Sequence, residues 1–303
     1  MSARATTIWI SGPVLRARTD GAFRLREAVT VGEQRLLGEV IRVARDEITV
    51  QVYEDTSGLR PGIVVEGSGR LLSVRLGPGL LGGIFDGLLR PIGTDDEPFV
   101  RPGMREAPPG QFRFEPRVAV GDRIEAGQIV GDIIAADGAE TASGMAQRCL
   151  VPPDHPGGEV IEVAPAGVYA EDIAICRVGG DRSDGNTWHD AERSSQAITM
   201  SQHWPVRLPR PVAARLASDE PMLTGQRILD CLFPIARGGT ASIPGGFGTG
   251  KTVLLETVAK WCNADVIVYV GCGERGNELA GLLAEFAELE DPRSGRRLLE
   301  RTV

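Results

Sequence analysis

The first 75 residues alternate between apolar and polar positions in short runs. Thr6 to Ile10, Arg24 to Val31, Leu36 to Arg42 and Glu47 to Tyr53 are rich in β-branched side chains or alternate in polarity. Ser11-Gly12-Pro13, Asp20-Gly21, Gly58 and Pro61-Gly62 punctuate them. A two-residue period puts alternate side chains on one face, and five or six such strands at close spacing predict a small β-barrel over residues 1–75. Leu72 to Leu76 reads as a further strand, Gly77-Pro78-Gly79 as a break and Gly82 to Leu89 as a short helix. Residues 93–116 carry Pro98, Pro102, Pro108, Pro109 and Pro116, so 76–111 is expected to be a connecting segment.

From Val118 to Ile133, strands of three to four residues alternate with Gly-Asp and Ala-Gly turns, and Gly157 to Val163 continues the style. The pattern predicts a second small β module over 112–180. Gly179 to Ser195 is polar, with Asp181, Asp184, Asp190 and Glu192, and reads as a solvated loop. Beyond Pro205 the period changes. Ile228, Leu229 and Leu232 share one face of a helix over Gly225 to Phe233, and Leu279, Leu282, Leu283, Phe286 and Leu289 form one stripe over Asn277 to Leu289. Val266 to Val270 (VIVYV) is a continuous apolar run, as expected of a parallel strand buried on both faces. Ala241 to Pro244 reads as a short β run before a helix over Thr252 to Cys262. The fold class that follows is α/β preceded by all-β parts, with a doubly wound sheet opening within 181–303. Two strands and two helices of that sheet precede Val303, so the domain is expected to be incomplete.

Composition narrows the function. Of 303 residues, 42% are hydrophobic, as in globular proteins, and no apolar run reaches the roughly 18 residues of a membrane span. The N-terminus lacks the layout of a signal peptide. The five cysteines Cys149, Cys176, Cys231, Cys262 and Cys272 contain no C-x-x-C pair, which argues against a metal site or disulfide scaffold and suits a reducing cytoplasm. A net charge of −8 disfavours nonspecific nucleic-acid binding.

The chemistry is concentrated in two places. Gly245, Gly246, Phe247, Gly248, Thr249, Gly250, Lys251 and Thr252 read GGFGTGKT, matching the phosphate-binding pattern G-x-x-x-x-G-K-[ST] between an expected strand and an expected helix. Backbone N–H groups of such a loop surround a triphosphate, and the helix adds roughly half a positive charge at its N-terminus. Lys251 is then placed for the β- and γ-phosphates of ATP or ADP and the Thr252 hydroxyl for Mg²⁺. Lys251 and Lys260 are the only lysines, which supports a specific role for Lys251. The second place is Gly271-Cys272-Gly273-Glu274-Arg275-Gly276, at the carboxyl end of the VIVYV strand, where ligands of parallel sheets bind. Glu274 can polarise an attacking water and Arg275 can stabilise phosphoryl charge; a surface ion pair on a glycine loop is the competing reading. Cys272 is expected to be a small buried packing residue rather than a reactive thiol.

PGGFGTGKT, VYVGCGERGNE, ISGPV, VYEDTSGL, LGPGLLGGIFDGLLRPI, WPVRLPRP and TGQRILDCLFPIARGGTASIP together resemble, in order and over nearly the whole chain, the catalytic A subunit of V-type and archaeal A-type rotary ATPases. VGCGERGNE and the inserted β module separate this family from the beta subunit of F-type synthases; a secretion-type ATPase should lack the module, and the non-catalytic B subunit lacks such a P-loop. The resemblance implies an N-terminal barrel that rings a hexamer, a bulge domain over 112–180 and an opening RecA-like nucleotide domain. It implies that Gly245 to Gly250 form the phosphate loop, Lys251 binds phosphate, Thr252 binds Mg²⁺, Glu274 is the water-activating base and Arg275 contacts the γ-phosphate. It further implies alternation with B-type subunits around a central stalk, a location at the cytoplasmic side of a membrane ion-translocating sector, and ATP turnover coupled to ion transport. Gly246 stands where many relatives have proline or alanine, and Thr249 where eukaryotic relatives carry a redox-active cysteine. The chain ends before the stretch carrying the family's Walker B aspartate and adenine-side aromatics, so a nucleotide-binding fragment without turnover is an alternative. A hexameric nucleic-acid motor fits less well, because residues 1–75 hold only Trp9, Phe23 and Tyr53 as aromatics.

Overall fold

The computed structural model describes residues 3–92, 101–103, 108–135, 147–179, 195–212, 214, 217–246, 248–292 and 295–303. Two compact units are present. One comprises the residues up to Leu76 with Ile84–Pro108 and Gln202–Pro209; the other comprises Gly77–Gly83, Pro109–Ser201 and Arg210–Val303. Of the expected solvated loop from Gly179 to Ser195, the two end residues lie in strands and 180–194 lie outside the described residues, as does much of 93–107.

In the first unit, β1 (Arg4–Ser11), β2 (Val14–Thr19), β3 (Glu27–Val31), β4 (Leu36–Val43), β5 (Glu47–Val52) and β6 (Val64–Leu71) close a barrel in the order β1-β2-β5-β4-β3-β6. Every pairing is antiparallel, and β6 returns to β1, so no edge is left for another chain. Alternation does the sorting: Leu15, Ala17, Val29, Val31, Ile48, Val50 and Val65 point inward and are buried. The interior is narrow at Gly38, where a Cβ would stand 2.7 Å from Val50 Cγ1 and 3.1 Å from Val29 Cγ2. The strand β7 (Ser73–Leu76) follows.

The expected helix over Gly82 to Leu89 does not form. Gly82 (φ 77°) and Leu89 (φ 58°) are left-handed, and the Asp86 carboxylate accepts the Leu88 and Arg90 N–H groups, each at 2.9 Å. An aspartate that bonds its own backbone competes with helix, and here it wins. A 3₁₀ turn over Pro78–Leu80 lies upstream instead.

The inserted module is a pair of four-stranded antiparallel sheets. Its strands are β8 (Gln111–Pro116), β9 (Arg123–Ile124), β10 (Ile129–Ala135), β11 (Gln147–Leu150), β12 (Gly158–Val163), β13 (Gly167–Ala170), β14 (Ala174–Gly179) and β15 (Ser195–Thr199). One sheet runs β11-β10-β8-β13 and the other β15-β14-β12-β9. A single core of Phe114, Ile124, Val130, Ile133, Val160, Ile175 and Ile198 joins them. The Phe114 ring lies where a Cβ on Gly131 would be, so that glycine admits the largest core residue. Because β15 pairs with β14, this sheet extends past residue 180, the limit expected from sequence. The strand β16 (Gln202–Pro205) then pairs with β7, within the first unit. There Arg207 donates to Glu39 through Nε at 2.7 Å and Nη2 at 2.6 Å, and the Tyr53 hydroxyl also donates to Glu39. Glu39 is buried, and its carboxyl is held below its ordinary value first by the Arg207 hydrogen bonds.

After a two-residue ladder of β17 (Pro221–Met222) with β18 (Ile235–Ala236) around α1 (Arg227–Leu232), the chain forms α2 (Lys251–Trp261) and α3 (Gly276–Glu288). Two expected strands differ. Ala241 to Pro244 forms no ladder among the described residues. Val266 to Val270 is not a regular strand buried on both faces: Ile267 makes one parallel bridge, to Thr302, and is 7% exposed, whereas Val268 and Val270 are 68% and 70% exposed. Only the Ile267 and Tyr269 face is covered, by Leu282, Phe286 and Leu298. A strand needs neighbours on both sides to complete its ladder, and here it has one. The expected apolar face of α1 is likewise uncovered, with Ile228 and Leu232 exposed.

Candidate functional site

The glycine-rich loop runs directly into α2. Gly248 (φ 78°) and Gly250 (φ 82°) take left-handed conformations that a side chain would oppose, and Gly250 is the N-cap of α2. Among the described residues no atom lies within 4 Å of where a Cβ would stand at positions 246, 248 and 250. Thr249 Oγ1 donates to the Gly246 carbonyl at 2.9 Å, and its side chain lies where a Cβ on Gly245 would be. The Lys251 ammonium curls over the loop and donates to the Gly245 carbonyl at 2.9 Å. The Lys251 side chain thereby closes the loop back on Gly245, at a helix end whose first N–H groups lack intrahelical acceptors. Thr252 is half-buried in the first turn of α2. Phe247 lies outside the described residues.

The second loop is built by α3. Gly273 is left-handed (φ 70°), and Arg275 is the N-cap residue whose carbonyl accepts the Glu278 N–H at 3.0 Å and the Leu279 N–H at 3.2 Å. Gly271 lies under Leu279, with only 2.8 Å between a Cβ there and Leu279 Cδ2. Glu274 is half-buried and Arg275 exposed. Cys272 is exposed, contrary to its expected burial. The left-handed Gly273 follows it directly, and the thiol stands at the surface.

Tyr269, just before the second loop, has its hydroxyl pushed above its ordinary pKa, first by burial and then by the charges of Glu274, Glu256 and Glu278. These come from the second loop, α2 and α3. The helices are also tied directly, because Lys260 on α2 donates to Glu285 on α3 at 2.6 Å.

Three supporting residues carried no signal in the sequence reading. Thr224 donates to Asp230 from both its N–H (2.9 Å) and its hydroxyl (2.7 Å), and hydrogen bonds from Thr224 hold the Asp230 carboxyl below its ordinary value. Asn263, just past α2, exchanges two bonds with Leu223: its N–H donates to the Leu223 carbonyl at 3.0 Å, and its Oδ1 accepts the Leu223 N–H at 3.1 Å. Together they fasten the 223–225 turn to the far end of α2. The Thr-x₅-Asp spacing flanking a helix start is the local pattern that could have marked the first pair.

Comparison with known proteins agrees with this layout. Three family models match in order: the beta-barrel domain of the ATP synthase alpha/beta family over residues 8–69, the ATP synthase alpha/beta subunit barrel-sandwich domain over 108–207, and the nucleotide-binding domain of the same family over 225–303. The chain belongs to the ATP synthase alpha/beta family. Its relatives within that family include the A subunit of the A-type ATP synthase of Methanopyrus kandleri, 43% identical over 100% of this chain and 49% of the relative. The V-type ATP synthase alpha chain of Halothermothrix orenii is 43% identical over 100% of this chain and 50% of the relative. That of Anaeromyxobacter dehalogenans strain 2CP-1 is 47% identical over 98% of this chain and 49% of the relative. The chain spans about half the length of these curated relatives. For this alpha/beta-family chain, the barrel, the sandwich and the helices around the glycine loop are thus the family's own parts. Among the described residues no helix is long and apolar enough to cross a membrane, and no group of three or more His, Cys, Asp or Glu could hold a metal ion by itself.

Proposed function

We propose that this chain is the nucleotide-binding part of the catalytic A subunit of a rotary ATPase of the A/V type, with its modules at 1–75 (barrel), 76–111 (connection), 112–180 (bulge, its sheet continued by β15 to Thr199) and a nucleotide domain within 181–303. The observation that carries the reading is the glycine loop closed by Lys251 at the start of α2. In this reading Gly245 to Gly250, Phe247 included, surround the phosphates of ATP or ADP through backbone N–H groups. Lys251 exchanges its Gly245 carbonyl for phosphate oxygens. Mg²⁺ entering with the nucleotide would be held at the Thr252 hydroxyl and would offset phosphate charge. Glu274 takes the proton of the attacking water, and Arg275 stabilises charge on the γ-phosphoryl oxygens.

The protein's partners in this reading are B-type subunits alternating with it in a hexamer, central stalk subunits and, indirectly, a membrane ion-translocating sector. It works at the cytoplasmic face, where turnover drives or is driven by proton or sodium flow. The test compares turnover of the isolated full-length A subunit with turnover of a ring reconstituted with its B partner. An arginine supplied in trans raises phosphoryl-transfer rates by about 10³–10⁵, so the ring should be faster per catalytic chain by that order. Equal rates would reject a shared site.

A further inference from the structure

We propose that Glu171 is a latch that fixes the segment Gly77–Gly83 to the sandwich, and that this segment carries the sandwich's position to the backbone leading into the Glu274 loop. Glu171 follows β13 and is 3% exposed. A buried carboxylate must find donors, and two of them are backbone N–H groups: Gly110 at 3.2 Å to Oε1 and Gly79 at 3.5 Å to Oε2. Its main chain is held as firmly. The Glu171 N–H donates to the Gly110 carbonyl at 2.9 Å, and the Glu171 carbonyl accepts from Ser201 N at 2.9 Å and Ser201 Oγ at 3.1 Å.

The opposite wall is made of missing side chains. A Cβ on Gly77 would clash with Glu171 Oε2 and stand 2.8 Å from Ser201 Cβ, and one on Gly79 would stand 3.2 Å from Glu171 Oε1. Gly77 is extended (φ −162°), a conformation open to any residue. Its requirement for glycine is therefore one of space: the slot exists to admit the carboxylate. Five residues further on, Gly82 (φ 77°) donates its N–H to the Thr302 carbonyl at 2.9 Å. Thr302 lies in the stretch that pairs with Ile267 and Tyr269, through Ile267 N to Arg301 O, Val303 N to Ile267 O and Tyr269 N to Val303 O, each at 2.9 Å. Two residues after Tyr269 the Gly271–Gly276 loop begins. The segment is thus keyed to the sandwich at Gly77 and Gly79 and to the nucleotide-domain backbone at Gly82.

Glu171 is a positioning residue in this account. Its effect on turnover rests on the role proposed for Glu274, but the contact chain itself does not, so it is tested without nucleotide. Hydrogen exchange on the full 303-residue chain would be read at Gly79, Gly82, Ile267 and Tyr269, with β12 and β14 as controls. Glu171→Ala removes the acceptor, and Gly77→Ala displaces the carboxylate while leaving it intact. Each should speed exchange at all four amides by about tenfold or more while the controls hold, because local opening reports local contacts. Glu171→Gln, which keeps one acceptor oxygen, should fall between. If Gly79 and Gly82 open while Ile267 and Tyr269 do not, the segment transmits nothing and the proposal is overturned. It is overturned equally if no variant changes exchange, or if every variant opens β12 and β14, which would make Glu171 a packing residue of the sandwich.

Discussion

Both lysines of the chain lie on α2 and do different work. Lys251 closes the glycine ring, while Lys260 ties α2 to the helix that follows the Glu274 loop. In the assembled enzyme, Glu274→Gln should keep nucleotide binding and lower turnover by about 10²–10⁴, since the amide keeps the shape but takes no proton. Steady-state kinetics beside a nucleotide titration separate the two effects, and a wild-type rate would show that the base lies elsewhere. The cysteines divide by environment. Burial pushes the Cys149 thiol up to about 12 and Cys176 up to about 11, whereas Cys231 and Cys272 are exposed. Thiol alkylation of the native chain near pH 8 should therefore label Cys231 and Cys272 and spare Cys149 and Cys176, as mass spectrometry would show. Position 249 of the loop is threonine, with no thiol to oxidise, so mild reversible oxidants should leave nucleotide binding unchanged; inhibition would assign a switch to Cys272. Glu39 gives a pH prediction. Its carboxyl is held below the ordinary 4.5 by Arg207, so its contribution to folding is present above that value and is lost as pH falls through the lowered one. Arg207→Ala removes the lowering, so acid unfolding of the barrel, followed by circular dichroism, should begin at a higher pH than in the wild type.

At the scale of elements, legibility followed the source of each element's stability. The barrel strands and the two longer helices were readable because alternation or a 3.6-residue stripe coincides with burial: Ile48, Val50 and Val52 along β5, and Leu282 and Phe286 on α3. The glycine ring was readable because its motif is local. Gly82 to Leu89 was not, because Asp86 spends its carboxylate on its own backbone, and no periodicity records that choice. Val266 to Val270 was misread because an apolar run announces only that two faces wish to be covered, not which neighbours are present. The Leu223–Asn263 tie joins residues 40 apart through a side-chain bond that leaves no pattern, whereas the Thr224–Asp230 pair is local. The α2–α3 layer depends on few residues, with Phe286 edge-on to Tyr269 at 6.4 Å. Phe286→Ala should therefore weaken α3 by about 3–5 kcal/mol, seen as loss of exchange protection across that helix.

At the scale of the molecule, apolar exposure is uneven. Among the described residues, Val120, Val212, Ile228, Leu232, Phe233, Val253, Val268 and Val270 are large apolar residues more than 60% exposed, and all but Val120 lie beyond residue 209. Among the described residues, the barrel and the sandwich each have a core of twelve buried hydrophobic residues, whereas the α2–α3 layer has four. An apolar surface of that kind favours association or local opening. Limited proteolysis of the 303-residue chain should cut first beyond residue 200 and leave the barrel and sandwich as resistant fragments. A single resistant product of full length would contradict that division of stability. All of this frames the central claim, that the ring closed by Lys251 binds a nucleoside triphosphate. The most direct measurement is a calorimetric titration of MgATP into wild-type, Lys251→Ala and Glu274→Gln chains. A charged hydrogen bond contributes about 1.5–3 kcal/mol, so Lys251→Ala should bind roughly 10–100-fold more weakly while Glu274→Gln matches the wild type. Equal affinity for wild type and Lys251→Ala would contradict the account.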